Sequence, residues 1–208
     1  AVNTLESSEI TKNTAKIKAV INTNNGSSLT ERGICYSLSA NPTISNSKSK
    51  DSNFYSDLGE FTIALSNLTA GTKYYAKAYA TNSYGTAYGE EITFTTLPAT
   101  PATVSTNSIY SITQNSAYCS GNISDDGGAT VTERGFCYST STSSPTISSS
   151  KVSSGTGIGS FYTNITQLSS GTTYYVRAYS INKAGVSYGN TLSFKTQSAT
   201  IPNGISIN

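Results

Sequence analysis

An all-β protein built as two tandem β-sandwiches is what this sequence predicts, on three observations. Thr30-Glu-Arg-Gly-Ile-Cys-Tyr-Ser37 returns as Thr132-Glu-Arg-Gly-Phe-Cys-Tyr-Ser139, and Gly71-Thr-Lys-Tyr-Tyr-Ala-Lys-Ala-Tyr79 returns as Gly171-Thr-Thr-Tyr-Tyr-Val-Arg-Ala-Tyr179. Within each copy, apolar and polar residues alternate with the period of two that marks a half-buried strand. No segment of ten residues carries helical periodicity. About seven short strands per copy, punctuated by turn residues, imply two packed antiparallel sheets.

The repeat sets the boundaries. Ile10-Thr-Lys-Asn-Thr-Ala15 aligns with Ile112-Thr-Gln-Asn-Ser-Ala117 at an offset of 102, which holds to Ser37 and Ser139. Pro42-Thr-Ile44 against Pro145-Thr-Ile147 raises it to 103, and Gly59 against Gly159 lowers it to 100. Copy two therefore gains one residue before Pro145 and loses three between Ile147 and Gly159, a Ser/Gly-rich stretch that reads as a loop or loose edge strand. Domain 1 spans 1–97 and domain 2 spans 98–197, joined through Leu97-Pro-Ala-Thr-Pro-Ala102. Two prolines stiffen that joint toward extended geometry and an elongated array. Residues 198–208 read as a tail or the start of a further domain, with the array expected to continue.

Taken in order, Ala15, Ile17, Ala19 and Ile21 share one face of the first clear strand, and Ala117, Cys119, Gly121 and Ile123 share its counterpart. In the penultimate strand, Tyr74, Ala76, Ala78 and Ala80 point one way; Tyr75, Lys77, Tyr79 and Thr81 point the other. Ile92-Thr-Phe-Thr-Thr96 and Leu192-Ser-Phe-Lys-Thr196 close the copies, with Phe94 and Phe194 inward.

Composition narrows the function. Of 208 residues only 12% are charged, with a formal charge of +2, so the chain lacks the basic footprint of a nucleic-acid binder. Ser, Thr, Asn, Gly and Tyr dominate, without His, Trp or Met, a mixture suited to short strands, polar turns and an extracellular setting. No apolar run approaches the ~18 residues that cross a bilayer, and no signal peptide opens the chain. The chain reads as a soluble fragment; an export signal or anchor is expected outside these residues.

Leu68-Thr-Ala-Gly-Thr-Lys-Tyr74, running into Ala76-Lys-Ala-Tyr-Ala-Thr-Asn82 and Gly85, resembles the fibronectin type III signature, and Leu168-Ser-Ser-Gly-Thr-Thr-Tyr174 through Asn182 and Gly185 repeats it. Ala70 and Ser170 stand where that family usually has proline. The Glu-Arg-Gly-Ile/Phe-Cys-Tyr-Ser strand is similar to the variant found in tandem in bacterial surface and secreted proteins. The resemblance implies two tandem immunoglobulin-like (fibronectin type III) antiparallel β-sandwiches in a larger surface or secreted protein. It implies that Tyr74 and Tyr174 are corner tyrosines, preceded by the turn glycines Gly71 and Gly171.

Chemistry is sparse. Without His, a nucleophile has no common base partner. Asp51, Asp57 and Glu60 have no acidic counterparts in copy two. Adjacent Glu31-Arg32 and Glu133-Arg134 point to opposite faces of a strand and are read as sheet-surface residues. Asp125-Asp-Gly-Gly128 reads as a turn, lacking the alternating oxygens of a calcium loop. No metal site or cofactor is expected, and the chain is read as no enzyme. Cys35 and Cys137 are equivalent, while Cys119 replaces Ile17. Free thiols at small apolar positions are the simplest reading, with a Cys119–Cys137 bridge left open because the facing of Cys137 is ambiguous.

The candidate binding face is the outer stripe Tyr75, Lys77, Tyr79 and its counterpart Tyr175, Arg177, Tyr179, suited to a sugar ring or a partner protein. Its presence in both copies favours plain cross-strand stabilisation instead. The expected function is a non-catalytic extracellular spacer, adhesive stalk or interaction module, alternatively a carbohydrate- or protein-binding module, and third an accessory part of a secreted hydrolase. Expected partners are cell-surface proteins or glycans and adjoining domains of the same chain, without nucleic acid or membrane insertion.

Overall fold

The alternation becomes strand throughout. The computed structural model describes residues 1–52, 54 and 58–199, and every regular element among them is a strand. Asp57 and residues 200–208 lie outside the described residues. The chain divides into two units between Ala99 and Thr100, two residues after the boundary read from the sequence. Thr100 already belongs to the second unit because its N–H donates to Gly127 O at 2.9 Å.

Unit 1 contains β1 (Val2–Ser8), β2 (Ala15–Ile21), β3 (Glu31–Ser37), β4 (Ser47–Lys50), β5 (Gly59–Leu65), β6 (Lys73–Asn82), β7 (Gly85–Tyr88) and β8 (Ile92–Thr95). Unit 2 repeats them as β9 (Thr103–Tyr110), β10 (Ala117–Asp125), β11 (Glu133–Ser139), β12 (Ser150–Ser153), β13 (Gly159–Ile165), β14 (Thr173–Asn182), β15 (Gly185–Tyr188) and β16 (Leu192–Lys195). One sheet of each unit has the order β1-β2-β5 or β9-β10-β13. The other has the order β4-β3-β6-β7 or β12-β11-β14-β15, with β8 or β16 also on the β6 or β14 edge. All pairings are antiparallel. Three strands facing a larger sheet, in this order, make each unit a fibronectin type III-like sandwich. The shortened stretch of copy two holds the edge strand β12 followed by a loop.

The final strand read from the sequence is β8 or β16, and the ladder on β6 or β14 is interrupted between it and the hairpin strand before it. Gly89 N–H donates to Ala78 O at 2.9 Å, but the chain then leaves the ladder until Ile92. Ala78 N–H is thereby left without a strand partner, and Thr4 Oγ1, reaching across from β1, accepts it at 2.9 Å. Thr106 Oγ1 does the same for Ala178 N–H at 2.9 Å. A threonine on the small sheet thus stitches the two sheets together at a buried position.

The core of unit 1 fills between the sheets with Ile17, Ile21, Ile34, Phe61, Ile63, Leu65 and Phe94. Copy two fills the same space differently. Phe136 replaces Ile34 and packs on Phe161 at 5.2 Å between centroids, while Cys119 and Gly121 replace Ile17 and Ala19. A Cβ on Gly121 would stand 2.9 Å from Phe161 Cζ, so volume added on one strand is removed from its neighbour, the change that cores tolerate best.

The corner before β6 closes by hydrogen bonds. Tyr74 Oη accepts from Thr69 N–H at 2.9 Å, and Tyr174 Oη accepts from Ser169 N–H at 2.9 Å. Gly71 (φ 66°) and Gly171 (φ 62°) take the left-handed conformation that the turn requires. Thr96 Oγ1 donates to Thr69 O at 2.6 Å and accepts from Thr72 N–H at 2.9 Å. Removing one hydroxyl by Tyr174→Phe leaves Ser169 N–H without its acceptor and is expected to cost about 1 kcal/mol. A lower denaturation midpoint for unit 2 checks it; an unchanged midpoint removes the corner role.

Candidate functional site

On the outer face of the larger sheet, β6 sets Tyr79 opposite Gly33 of β3 and Tyr88 of β7. Gly33 has no side chain, so the Tyr79 ring lies across the strand, and its hydroxyl donates to Glu31 Oε1 at 2.6 Å. Glu31 also holds Lys48 Nζ at 3.1 Å and Lys50 Nζ at 2.5 Å, and Lys48 Nζ sits 5.8 Å from the Tyr79 ring centroid. The segment after β3 then crosses the face. Cys35 Sγ points outward to Pro42 O at 3.5 Å, and Ile44 N–H donates to Tyr88 Oη at 3.2 Å.

Unit 2 repeats the arrangement. Tyr179 Oη donates to Glu133 Oε1 at 2.5 Å, Lys151 Nζ is 2.9 Å from the same oxygen, and Cys137 Sγ reaches Pro145 O at 3.3 Å.

This corrects the sequence expectation of an open aromatic stripe. Tyr79 and Tyr179 have 0% of their surface exposed. Lys77 Nζ donates to Asn41 Oδ1 at 3.1 Å, while Arg177 folds back over the Tyr188 ring at 4.7 Å and donates to Gly189 O at 2.9 Å. Tyr75 and Tyr175 remain half-buried on the strand. Alternation identified the face correctly but not its cover, because the residues that close it come from the edge strand and the loop before it, distant in sequence from β6.

The Glu–Tyr pair does not make an acid–base dyad. Hydrogen bonds from Lys50 and Tyr79 hold the Glu31 carboxyl down at about 2, and burial followed by the Glu31 carboxylate pushes the Tyr79 phenol above its ordinary value. Glu133 and Tyr179 shift in the same directions, Glu133 through its bonds from Tyr179 and Lys151, Tyr179 through burial and then Glu133. Both members move away from neutrality, whereas a proton-transfer pair needs values near it.

Linkage gives the pH dependence. Glu31, depressed on folding, contributes stability that is full above about pH 4.5 and is lost as pH falls toward about 2. Tyr79 and Tyr179, raised on folding, contribute stability present below about pH 10 that is lost as pH rises above it. In an alkaline titration at 295 nm, the phenolate absorbance of these two tyrosines is expected only with unfolding. Ionisation of all tyrosines before unfolding would contradict the buried pair.

The remaining candidates are tied into scaffold roles. Arg32 is buried on the inner side, with Nη2 2.8 Å from Asp51 Oδ2 and its guanidinium 4.6 Å from the Phe61 ring. Copy two lacks that acid, and Arg134 Nη1 instead donates to Ile158 O at 2.8 Å and Gly157 O at 3.2 Å. Asp125 and Asp126 accept from Gly127 and Gly128 N–H at 2.8 and 2.7 Å, capping their own turn. Among the described residues no group of three Cys, Asp or Glu side chains gathers to hold a metal.

Cys35, Cys119 and Cys137 are free and buried. Cys119 lies in the core and Cys137 on the outer face, so a bridge between them would have to pass through the sheet. Burial raises all three thiols, Cys119 to about 12 and Cys137 to about 11, which keeps them inert.

A groove of about 420 Å³ in unit 1 is lined by Asn24, Asn25, Leu29, Asn82, Tyr84 and Gly85, among others. In unit 2 the equivalent place receives main chain, since Asn182 Nδ2 donates to Thr100 O at 2.8 Å.

Residues outside the candidate stripe form an exposed aromatic group. Tyr110, Tyr118 and Tyr162 are 44%, 39% and 69% exposed on the outer face of the small sheet of unit 2. The signal for them was present: they stand where copy one has Ser8, Lys16 and Thr62, and so escape the repeat that explains the rest.

No family model and no curated protein sequence matches the chain. Among solved structures it is similar to the two-domain fibronectin type III segment of chicken tenascin, at 19% identity over 94% of this chain and 99% of that one, with a TM-score of 0.40. The FN1-FN3 domains of chicken CNTN1 match at 13% identity over 94% of this chain and 67% of that one, also with a TM-score of 0.40. The assignment of two fibronectin type III-like sandwiches stands on the strand order within each unit.

Proposed function

We propose that the chain is a non-catalytic, extracellular-type spacer or adhesive module in a larger surface or secreted protein. One observation carries this reading: the polar residues that both copies share, Glu31/Glu133, Tyr79/Tyr179 and Lys48/Lys151, are consumed in holding the outer sheet face closed. A module whose common features all serve its own scaffold is suited to repetition, as in stacked arrays. The hydrolase-accessory reading has no specific observation behind it.

The test is a displayed fusion carrying a known binding domain at its tip. Replacing the 208 residues by two unrelated sandwiches of equal length is expected to preserve capture, and deleting them to reduce it. Loss of capture on the length-matched exchange would overturn the spacer reading and leave the adhesive one.

A further inference from the structure

The two copies differ in chemistry on the outward face of the three-stranded sheet. In unit 1 this face is ionic: Lys16 pairs with Glu9 at 2.7 Å and Lys18 with Glu60 at 2.8 Å, with Glu6 opposite Lys18. In unit 2 the positions of Glu6, Lys16, Lys18 and Glu60 hold Ser108, Tyr118, Ser120 and Ser160. All four charges are replaced by hydroxyl-bearing side chains. Along β9, β10 and β13 one charged residue remains, Asp125 at the end of β10.

The register puts Tyr110, Tyr118 and Asn164 in one row across the sheet and Ser108, Ser120 and Tyr162 in the next. Tyr110 and Tyr118 stack with centroids 5.7 Å apart and planes 18° apart. Tyr162 is diagonal to Tyr118, a separation of roughly 7–8 Å that aromatic side chains span. Hydroxyl and amide groups share the plane. Ser108 and Ser120 Oγ lie 2.7 Å apart, Ser160 Oγ donates to Asn122 Oδ1 at 3.3 Å, and Asn164 Oδ1 is shielded from water with no hydrogen-bond partner among the described residues.

We propose that this face of unit 2 is a binding platform for a neutral carbohydrate. The C–H face of a sugar ring stacks on tyrosine, whose π-face is electron-rich. The surrounding Ser and Asn groups both donate and accept, as sugar hydroxyls require. An ionic ligand finds no complement, because the cations and anions present in copy one are gone. A second copy of the chain is a poor occupant: three strands and about five residues of depth make a patch on the order of 14 Å by 17 Å, far short of the ~800 Å² per partner of a stable interface. No large aliphatic side chain projects from these rows. The inference goes beyond the spacer reading and gives the adhesive one a ligand class.

The test is affinity electrophoresis of the full chain in native gels containing hydroxyethyl cellulose, glucomannan or arabinoxylan. At least one polymer is expected to retard the protein. Tyr118→Ala and Tyr162→Ala are each expected to weaken that binding roughly tenfold or more, the scale of a central aromatic contact, with the thermal midpoint of unit 2 unchanged for the exposed Tyr162→Ala. Tyr162→Phe keeps the stacking face and is expected to bind within a few-fold of the parent chain. Lys16→Ala on the ionic face of unit 1 is expected to change nothing. No retardation in any gel, retardation indifferent to both tyrosines, or Tyr162-dependent self-association in sedimentation without retardation would each overturn the proposal. The first of these leaves the spacer reading standing, so the two ideas fail separately.

Discussion

Gly135→Ala is expected to destabilise unit 2 by about 3 kcal/mol, the upper range for overpacking a filled site. A Cβ there would stand 2.1 Å from Val152 O, 2.9 Å from Ser153 Cα and 3.0 Å from Tyr179 Oη. Two of those atoms are backbone of the edge strand, so relief requires β12 to move or the Tyr179 ring to lift. Lifting the ring breaks its bond to Glu133. Gly33→Ala carries the same expectation in unit 1, where Ser49 O would be 2.3 Å and Tyr79 Oη 2.9 Å away. Neither glycine has a positive φ, so the requirement is for space rather than for backbone freedom. Urea unfolding followed by near-UV dichroism measures the loss. The double change Gly135→Ala with Tyr179→Leu is expected to cost less than the sum, because both act on one contact. A Gly135→Ala chain within 0.5 kcal/mol of the parent would refute the close packing of tyrosine on glycine.

Thr106→Val is the second large effect, at about 2 kcal/mol. Valine keeps the shape but withdraws the acceptor from Ala178 N–H, and a buried donor left alone costs about 1–3 kcal/mol. Thr106→Ser retains the hydroxyl and is expected to recover most of the loss. Gly189 marks the same junction: a Cβ on it would stand 2.5 Å from Thr106 N, so the threonine cannot approach unless this residue is glycine. Equal stability of the valine and serine variants would mean that water, not Thr106, satisfies Ala178. The equivalent pair in unit 1, Thr4 and Gly89, is expected to behave alike.

Much of this molecule was legible as pattern. Strand faces followed from alternation because a strand's side chains switch sides at every residue. Ala15, Ile17, Ala19 and Ile21 were placed inward on that ground and are buried. The break in the ladder between β7 and β8 was not legible. Gly89 and Thr4 lie far apart in the chain, and nothing local says that the first makes room for the second. The outer stripe failed for a related reason. Period two assigns Tyr79 to the face away from the core but says nothing about which residues then close over that face.

The candidate site shows the same division. Alternation along β6 and β14 singles out Tyr75, Lys77 and Tyr79 as a candidate face, while their recurrence in both copies favours a scaffold role, and the burial of Tyr79 and Tyr179 agrees with the latter. The exposed tyrosines of unit 2 recur nowhere. Tyr110, Tyr118 and Tyr162 sit on three different stretches of sequence, and only the ladder of β9, β10 and β13 sets them side by side.

The sequence by itself determined the fold class, the duplication and the inward face of most strands, since these depend on spacing along the chain, while the corner at Tyr74 and Tyr174 is what the resemblance to fibronectin type III domains implies. The tertiary structure alone decided that Tyr79 and Tyr179 are buried against Glu31 and Glu133 with Lys48 and Lys151 over their rings, that Cys119 and Cys137 face opposite sides of a sheet, and that Thr4 and Thr106 join the two layers. It also decided which tyrosines meet solvent together. Each of those outcomes depends on residues distant in sequence meeting across a sheet or between layers, where distance in space and not along the chain sets burial, hydrogen bonding and charge.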